Sequence, residues 1–233
     1  MRIALLADVH GNAIALERCL AVLESCEPDA TYFLGDCVGY IPGEQECLEM
    51  LKAATISCQR GNHEQMLLCP TAESGAREDV YGLAAVARRT TAAASEFIDS
   101  WPLQRELEVD GRTILLVHGS PEHPLDGYIY PDADLNGFGD LAYDAVLMAH
   151  THRPFAGRVG EKLIANVGSV GLPRDVGALS SAAIYDTRTN EIRILRPRLD
   201  VDAVLRRWGS EMHELTRACL RRTAPEFVGE VIE

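Results

Sequence analysis

Paired cysteines are missing from this chain. Its seven cysteines, an odd number, are scattered from Cys19 to Cys219 without a CxxC pair, which argues against a disulfide framework and against a soft, all-thiolate metal site. Long hydrophobic runs are missing as well. The apolar stretch Ile3 to Ala7 is interrupted by Asp8, too short for a signal sequence or a membrane span, and no later segment supplies one. The expectation is a soluble, cytoplasmic chain with no membrane partner. Basic excess is a third absence: 22 Lys and Arg stand against 35 Asp and Glu, a formal charge of −13, and such a field repels long polyanions, duplex nucleic acid among them. Linkers, internal repeats and low-complexity stretches are lacking too.

What is present is enough apolar material for a core. At 233 residues and 47% hydrophobic, the chain is expected to fold as one domain over 1–233. Arg2 to Ala7 reads as a strand ending at Asp8, and Asn12 opens a helical pattern that closes before Pro28. Thr31 to Leu34 repeats the design before Asp36, Pro42 starts a second helix, and Thr55 to Cys58 leads into Gly61-Asn62-His63. An alanine-rich stretch, roughly Tyr81 to Trp101, reads as a helix beside the site within a cap-like segment of about 78–101. Asp110-Gly111 marks a hairpin between Leu107–Val109 and Thr113–Val117. Ala145–Met148, Leu163–Val167, Ala182–Tyr185 and Ile192–Leu195 read as further strands, and a last amphipathic helix is predicted from about Val201 to Leu220. So many strands in one domain suggest two sheets packed face to face with helices outside.

The chemistry sits at the ends of these strands: Asp8-Val9-His10, Gly35-Asp36, Gly61-Asn62-His63-Glu64, His118-Gly119 and His150-Thr151-His152, followed by Gly168-Ser169. Singly, each has a plain reading. Asp8 and His10 could cap the helix near Asn12, Asn62 could be a turn residue, and His118 a satisfied core histidine. Two imidazoles one residue apart, as at His150 and His152, are costly to bury unless hydrogen-bonded or metal-bound. Together, β/α winding would gather all of them beyond the carboxyl ends of the strands. Carboxylates and neutral imidazoles in one cluster suit hard-to-borderline divalent ions such as Mn, Fe or Zn.

In this order the motifs resemble the calcineurin-like metallophosphoesterase superfamily, from Asp8 to about Asp175. Gly35-Asp36-Cys37-Val38-Gly39-Tyr40 and Gly168-Ser169-Val170-Gly171-Leu172-Pro173-Arg174-Asp175 are similar to its small bacterial and archaeal phosphodiesterase-like branch. The resemblance implies a four-layer α-β-β-α sandwich with two mixed sheets. It also implies two divalent cations, manganese first, with iron, zinc or nickel as alternatives. One would be held by Asp8, His10, Asp36 and His152, the other by Asp36, Asn62, His118 and His150. His63 would be general acid or transition-state stabiliser. Two such ions about 3.5–4 Å apart can acidify a bridging water for attack on phosphorus, so the implied activity is hydrolysis of small phosphodiesters or phosphomonoesters, nucleotides included. Arg60, Tyr40 and Arg174 are candidates for touching the substrate phosphate. The chain departs from the family pattern where Ala149 replaces a glycine before the last histidine pair. Gly39-Tyr40-Ile41 stands where phosphoprotein phosphatases carry Asp-Arg-Gly, which leaves His63 without its usual carboxylate partner. A protein-interaction scaffold and a phosphoprotein phosphatase are the alternatives.

Overall fold

The first strand, β1 (Arg2–Leu6), is apolar from Ile3 onward because both its faces are covered. Successive side chains of a strand point to opposite faces, so Ile3 and Leu5 enter one core while Ala4 and Leu6 enter another. In the computed structural model, which describes residues 1–70 and 77–233, β1 lies inside a six-stranded mixed sheet. It runs parallel to β2 (Ala30–Phe33), and β2 parallel to β3 (Ser57–Cys58). On its other side lie antiparallel β9 (Ala182–Asp186), then β10 (Glu191–Pro197) and β11 (Glu230–Ile232). A five-stranded mixed sheet has the order β4 (Gln104–Val109), β5 (Arg112–Val117), β6 (Ala145–Met148), β8 (Lys162–Asn166) and β7 (Phe155–Val159). Its three central strands are parallel and both edges antiparallel.

The sheets face each other. Ile3, Leu5, Ala183 and Tyr185 meet Ile114, Leu116, Leu147 and Ala165 in one core. The outer face of the six-stranded sheet is covered by α1 (Ala13–Ser25) and α2 (Glu44–Ala53), together with the helical segments farther along the chain. Leu115, Val117, Val146 and Met148 point out of the other sheet onto Phe138, within a 3-10 turn at Asn136–Asp140. The layering is the expected one, with its fourth layer thinned to a loop and that single turn.

Two predicted helices are broken. The alanine-rich stretch forms α4 (Glu78–Tyr81), α5 (Leu83–Arg89) and α6 (Ala92–Asp99). Gly82 is left-handed at φ 65°, Thr90 is extended, and the Thr91 hydroxyl starts α6 by accepting from Ala94 N at 3.2 Å. The C-terminal helix is likewise two, α7 (Val201–Trp208) and α8 (Glu214–Leu220), the second capped by the His213 ring. Strands β7 and β11 had no sequence signal: β7 is an edge whose Gly157-Arg158 interrupts any apolar pattern, and β11 has only three residues.

Arg196 on β10 is fully buried, and every one of its guanidinium nitrogens is engaged. Nη1 and Nη2 donate to Asp175 Oδ2 and Oδ1 at 2.6 and 2.8 Å, and further bonds reach the carbonyls of Ser180, Leu179 and Val228. The pair fixes the end of the loop that carries Arg174. Replacing Arg196 by Met strands a largely buried carboxylate, a change worth about 3–5 kcal/mol. The melting temperature should fall accordingly, and an unchanged melting curve would remove the pair from the stability of the fold.

Candidate metal centre

The parallel strands of both sheets end at one edge, where tight turns carry polar side chains over the strand ends. Asp8 and His10 follow β1, Asp36 follows β2, and Asn62 and His63 begin α3 (Asn62–Leu68) after β3. His118 follows β5, and His150 and His152 follow β6. Asp8, His10, Asp36, His150 and His152 are left-handed, with φ of 52°, 49°, 64°, 68° and 59°. That conformation costs a residue with a Cβ roughly 1–2 kcal/mol. Strain repeated around one cavity is held by its surroundings: Asp8 N donates to Gly35 O, His10 N to Asp36 O, Gly171 N to Asp8 O, and Ala149 N to His118 O, all at 2.9–3.0 Å. Ala149 is buried, and its carbonyl accepts from Thr151 N at 2.8 Å.

Glu64, the last residue of the Gly61-Asn62-His63-Glu64 segment, organises the centre. One carboxylate oxygen accepts from Asp36 N (2.7 Å) and Gly61 N (2.9 Å), the other from Cys37 N (2.7 Å) and Val38 N (3.2 Å). Its only sequence signal was its place three residues after the Gly61 helix cap. Burial, with the charge of Asp36, pushes its carboxyl up to about 7 against the pull of those amides. Gly61 is required for a different reason: a Cβ there would lie 2.1 Å from Asp36 Oδ1.

Asp36 Oδ1 accepts from His63 N at 2.9 Å, while Oδ2 lies 3.4 Å from His118 Nε2 and 3.7 Å from His10 Nε2. Asp8 Oδ2 accepts from His150 N at 3.1 Å. Its Oδ1 has no hydrogen-bond partner and sits 3.4 Å from His152 Nε2 and 3.8 Å from His10 Nε2. The Nδ1 atoms of His10, His118 and His152 face the carbonyls of Val38, Leu34 and Leu172 at 3.2, 2.8 and 2.6 Å. A carbonyl accepts only, so each Nδ1 carries the proton and each Nε2 of a neutral ring is a bare lone pair. Yet His10 Nε2 and His152 Nε2 face each other at 3.0 Å. Facing lone pairs repel, and a cation relieves the repulsion. His150 Nε2 is buried with no partner, and His118 Nε2 meets Asn62 Oδ1 at 3.1 Å. Among the described residues, three groups bring ligand atoms within 4.8 Å of one another: Asp8-His10-His152, Asp36-His118-His150 and His10-Asp36-His63. The donor set fits divalent cations.

Three of the rings are held neutral. Burial, helped by neighbouring cationic groups, holds His10 and His152 well below the usual imidazole range and takes His150 down to about 3, leaving them in the neutral, ligating form. Burial would also depress His118, but the charge and hydrogen bond of Asp36, with the charge of Asp8, raise it to about 9. Burial lifts Asp8 to about 8, whereas at Asp36 burial is outweighed by the His118, His63 and His10 rings, which hold the carboxyl well below its usual range.

His63 lies against Tyr40 and Tyr81, with ring centroids 5.1 and 4.7 Å away. Its Nδ1 is buried without a partner, and a Cβ on Gly39 would come 2.4 Å from that atom. Aromatic rings position it where a carboxylate was missing from the motif, and burial lowers its pKa. Tyr40 also packs on His10 at 4.7 Å, and its hydroxyl accepts from Arg174 Nη2 at 3.4 Å, while Arg174 N donates to His152 O. Arg60 is not brought to the centre. Its guanidinium donates to the carbonyls of Trp101 (2.9 Å) and Asp99 (3.0 Å) and to Gln65 Oε1 (3.4 Å), closing the end of α6. The expectation of a phosphate contact there is corrected, because the free carbonyls of a helix end are the nearer acceptors.

The family model for the calcineurin-like phosphoesterase superfamily domain matches residues 1–190. An uncharacterized protein of Methanocaldococcus jannaschii is 28% identical over 249 residues, spanning 98% of this chain and 96% of that protein. A metallophosphoesterase from Sphaerobacter thermophilus superimposes with a TM-score of 0.76 at 28% identity, over 94% of this chain and 98% of that one. A hypothetical protein from Pyrococcus horikoshii OT3 shares the fold, with a TM-score of 0.84 at 20% identity over 95% and 98% of the two chains. Among the described residues no helix is long and apolar enough to cross a membrane. The chain belongs to the calcineurin-like phosphoesterase superfamily and is a metal-dependent phosphoric ester hydrolase.

Proposed function

We propose that the chain hydrolyses small phosphodiesters or phosphomonoesters with two divalent cations, manganese first among them. Asp8, His10, Asp36 and His152 would hold one and Asp36, Asn62, His118 and His150 the other. The observation that carries this reading is the pair of bare imidazole nitrogens, His10 Nε2 and His152 Nε2, 3.0 Å apart beside the unpartnered Asp8 Oδ1. When bound, such ions supply Lewis acidity and bring the pKa of a water toward neutrality for in-line attack on phosphorus.

The chain's own groups do the rest. The Nδ1–carbonyl bonds of His10, His118 and His152 fix tautomer and ring orientation. Tyr40, packed on His10, and Arg174, whose guanidinium reaches the Tyr40 hydroxyl, would contact a phosphate oxygen. His63 donates a hydrogen bond to the ester oxygens and passes a proton to the departing alkoxide. Burial depresses its pKa, and an incoming phosphate anion acts in the opposite sense, favouring the charged ring.

The test is turnover of bis-p-nitrophenyl phosphate with manganese, set beside elemental analysis of the same sample. Two ions per chain and metal-dependent release of nitrophenol are expected. No turnover with any divalent ion would leave an interaction scaffold as the better description. His63→Ala should keep near-normal metal content and lose about 10²–10⁴-fold in rate, the usual share of acid catalysis, most severely on esters with poor leaving groups. An unaltered turnover number would take His63 out of the mechanism.

A further inference from the structure

Beside the metal centre lies a pocket of about 440 Å³ whose wall includes Arg77, Arg153, Arg174 and Arg222 and, among the described residues, no aspartate or glutamate. In a chain of formal charge −13 this is a local inversion of sign. Elsewhere Arg89, Arg193, Arg196, Arg198 and Arg207 have carboxylate partners. Among the described residues no ion pair engages Arg153, Arg174 or Arg222, although Arg222 Nη1 reaches the Arg174 carbonyl at 3.1 Å. Guanidiniums gathered this way repel one another until an anion joins them. The same wall includes Thr216, whose hydroxyl is buried with no partner.

The pocket and the centre share a boundary. Thr151 lies between His150 and His152, the Leu172 carbonyl faces His152 Nδ1, and the Arg174 guanidinium reaches Tyr40, which packs on His10. Tyr130, 41% exposed, also lines the pocket and stacks on Tyr128, whose ring lies 4.2 Å from that of His150.

Resting on the hydrolase reading above, we infer that this arginine pocket binds a further phosphate of the substrate while the metal centre takes the scissile one. The substrate class is then a phosphate ester or anhydride with a chain of two or more phosphates, with Tyr130 and Tyr128 offering a face for an aromatic group. A single phosphate would fill the centre, reach Arg174 at most, and leave Arg153 and Arg222 unanswered.

The experiment uses metal-loaded protein freed of excess ion and titrates inorganic tripolyphosphate and orthophosphate by calorimetry. It is run on the wild type and on the double variant Arg153→Gln, Arg222→Gln, both exposed positions. Tripolyphosphate should bind at least about tenfold more tightly than orthophosphate, and the double variant should lose most of that advantage. Equal affinities in the wild type, or an advantage that survives in the variant, would overturn the proposal. Turnover of bis-p-nitrophenyl phosphate is measured on the same samples. Hydrolysis without a tripolyphosphate preference would overturn the pocket and keep the enzyme. A preference without hydrolysis would support the pocket and overturn the hydrolase reading.

Discussion

Asp36→Asn is expected to cost the protein both cations and at least about 10³-fold in turnover, since a metal's Lewis acidity is worth several kcal/mol and 1.36 kcal/mol is a factor of ten. The direction follows from hydrogen-bond geometry. Oδ1 accepts from His63 N at 2.9 Å, so the asparagine oxygen must take that position and its NH₂ group must take the other. The amide then points a donor at the place where Oδ2 faced His10 and His118 Nε2 at 3.7 and 3.4 Å. One substitution removes a negative charge and presents a partial positive one to both proposed ion positions. The left-handed backbone, φ 64°, is one asparagine tolerates, so the loop keeps its shape. Elemental analysis that still found two ions per chain would end the assignment of Asp36 as the shared ligand.

Glu64→Gln should be the most damaging isosteric change outside the proposed ligands. Two carboxylate oxygens accept four main-chain amides in a site with 0% exposure. Glutamine has one acceptor oxygen, and its NH₂ would meet two N–H groups head on. Hydrogen bonds to a charged group contribute about 1.5–3 kcal/mol each, and unsatisfied buried donors add their own penalty, so a loss of about 3–5 kcal/mol is expected. Because Asp36 N and Gly61 N share one oxygen of Glu64, metal content should fall along with the urea midpoint. A variant with the wild-type midpoint would show that the loop closes without this carboxylate.

Much of the architecture was legible because both faces of the central strands are buried. The runs at Ile3–Ala7, Ile114–Val117 and Ala145–Ala149 are apolar throughout, and each stops at a polar residue. That stop locates Asp8, His118 and His150 without any knowledge of their use. The hairpin at Asp110-Gly111 was legible for a different reason: both residues have positive φ, 50° and 74°, as the tightest two-residue turn requires. Helix ends were less legible. Alanine content argued for one helix across 81–101, but propensity is a weak prior beside a left-handed Gly82 and a fresh cap at Thr91. The roles of Arg60 and Glu64 were invisible because each depends on backbone brought close only by folding: the carbonyls at the end of α6 for one, the amides of the Asp36 loop for the other.

The left-handed turns limit what the chain can become. At Asp8, His10, Asp36, His150 and His152, valine, isoleucine and threonine are shut out by their branched side chains, whereas asparagine and glycine enter with little resistance. A descendant that abandoned catalysis would therefore be expected to drift toward asparagine and glycine at these five places, keeping the outline of an ion cradle long after the ions had gone.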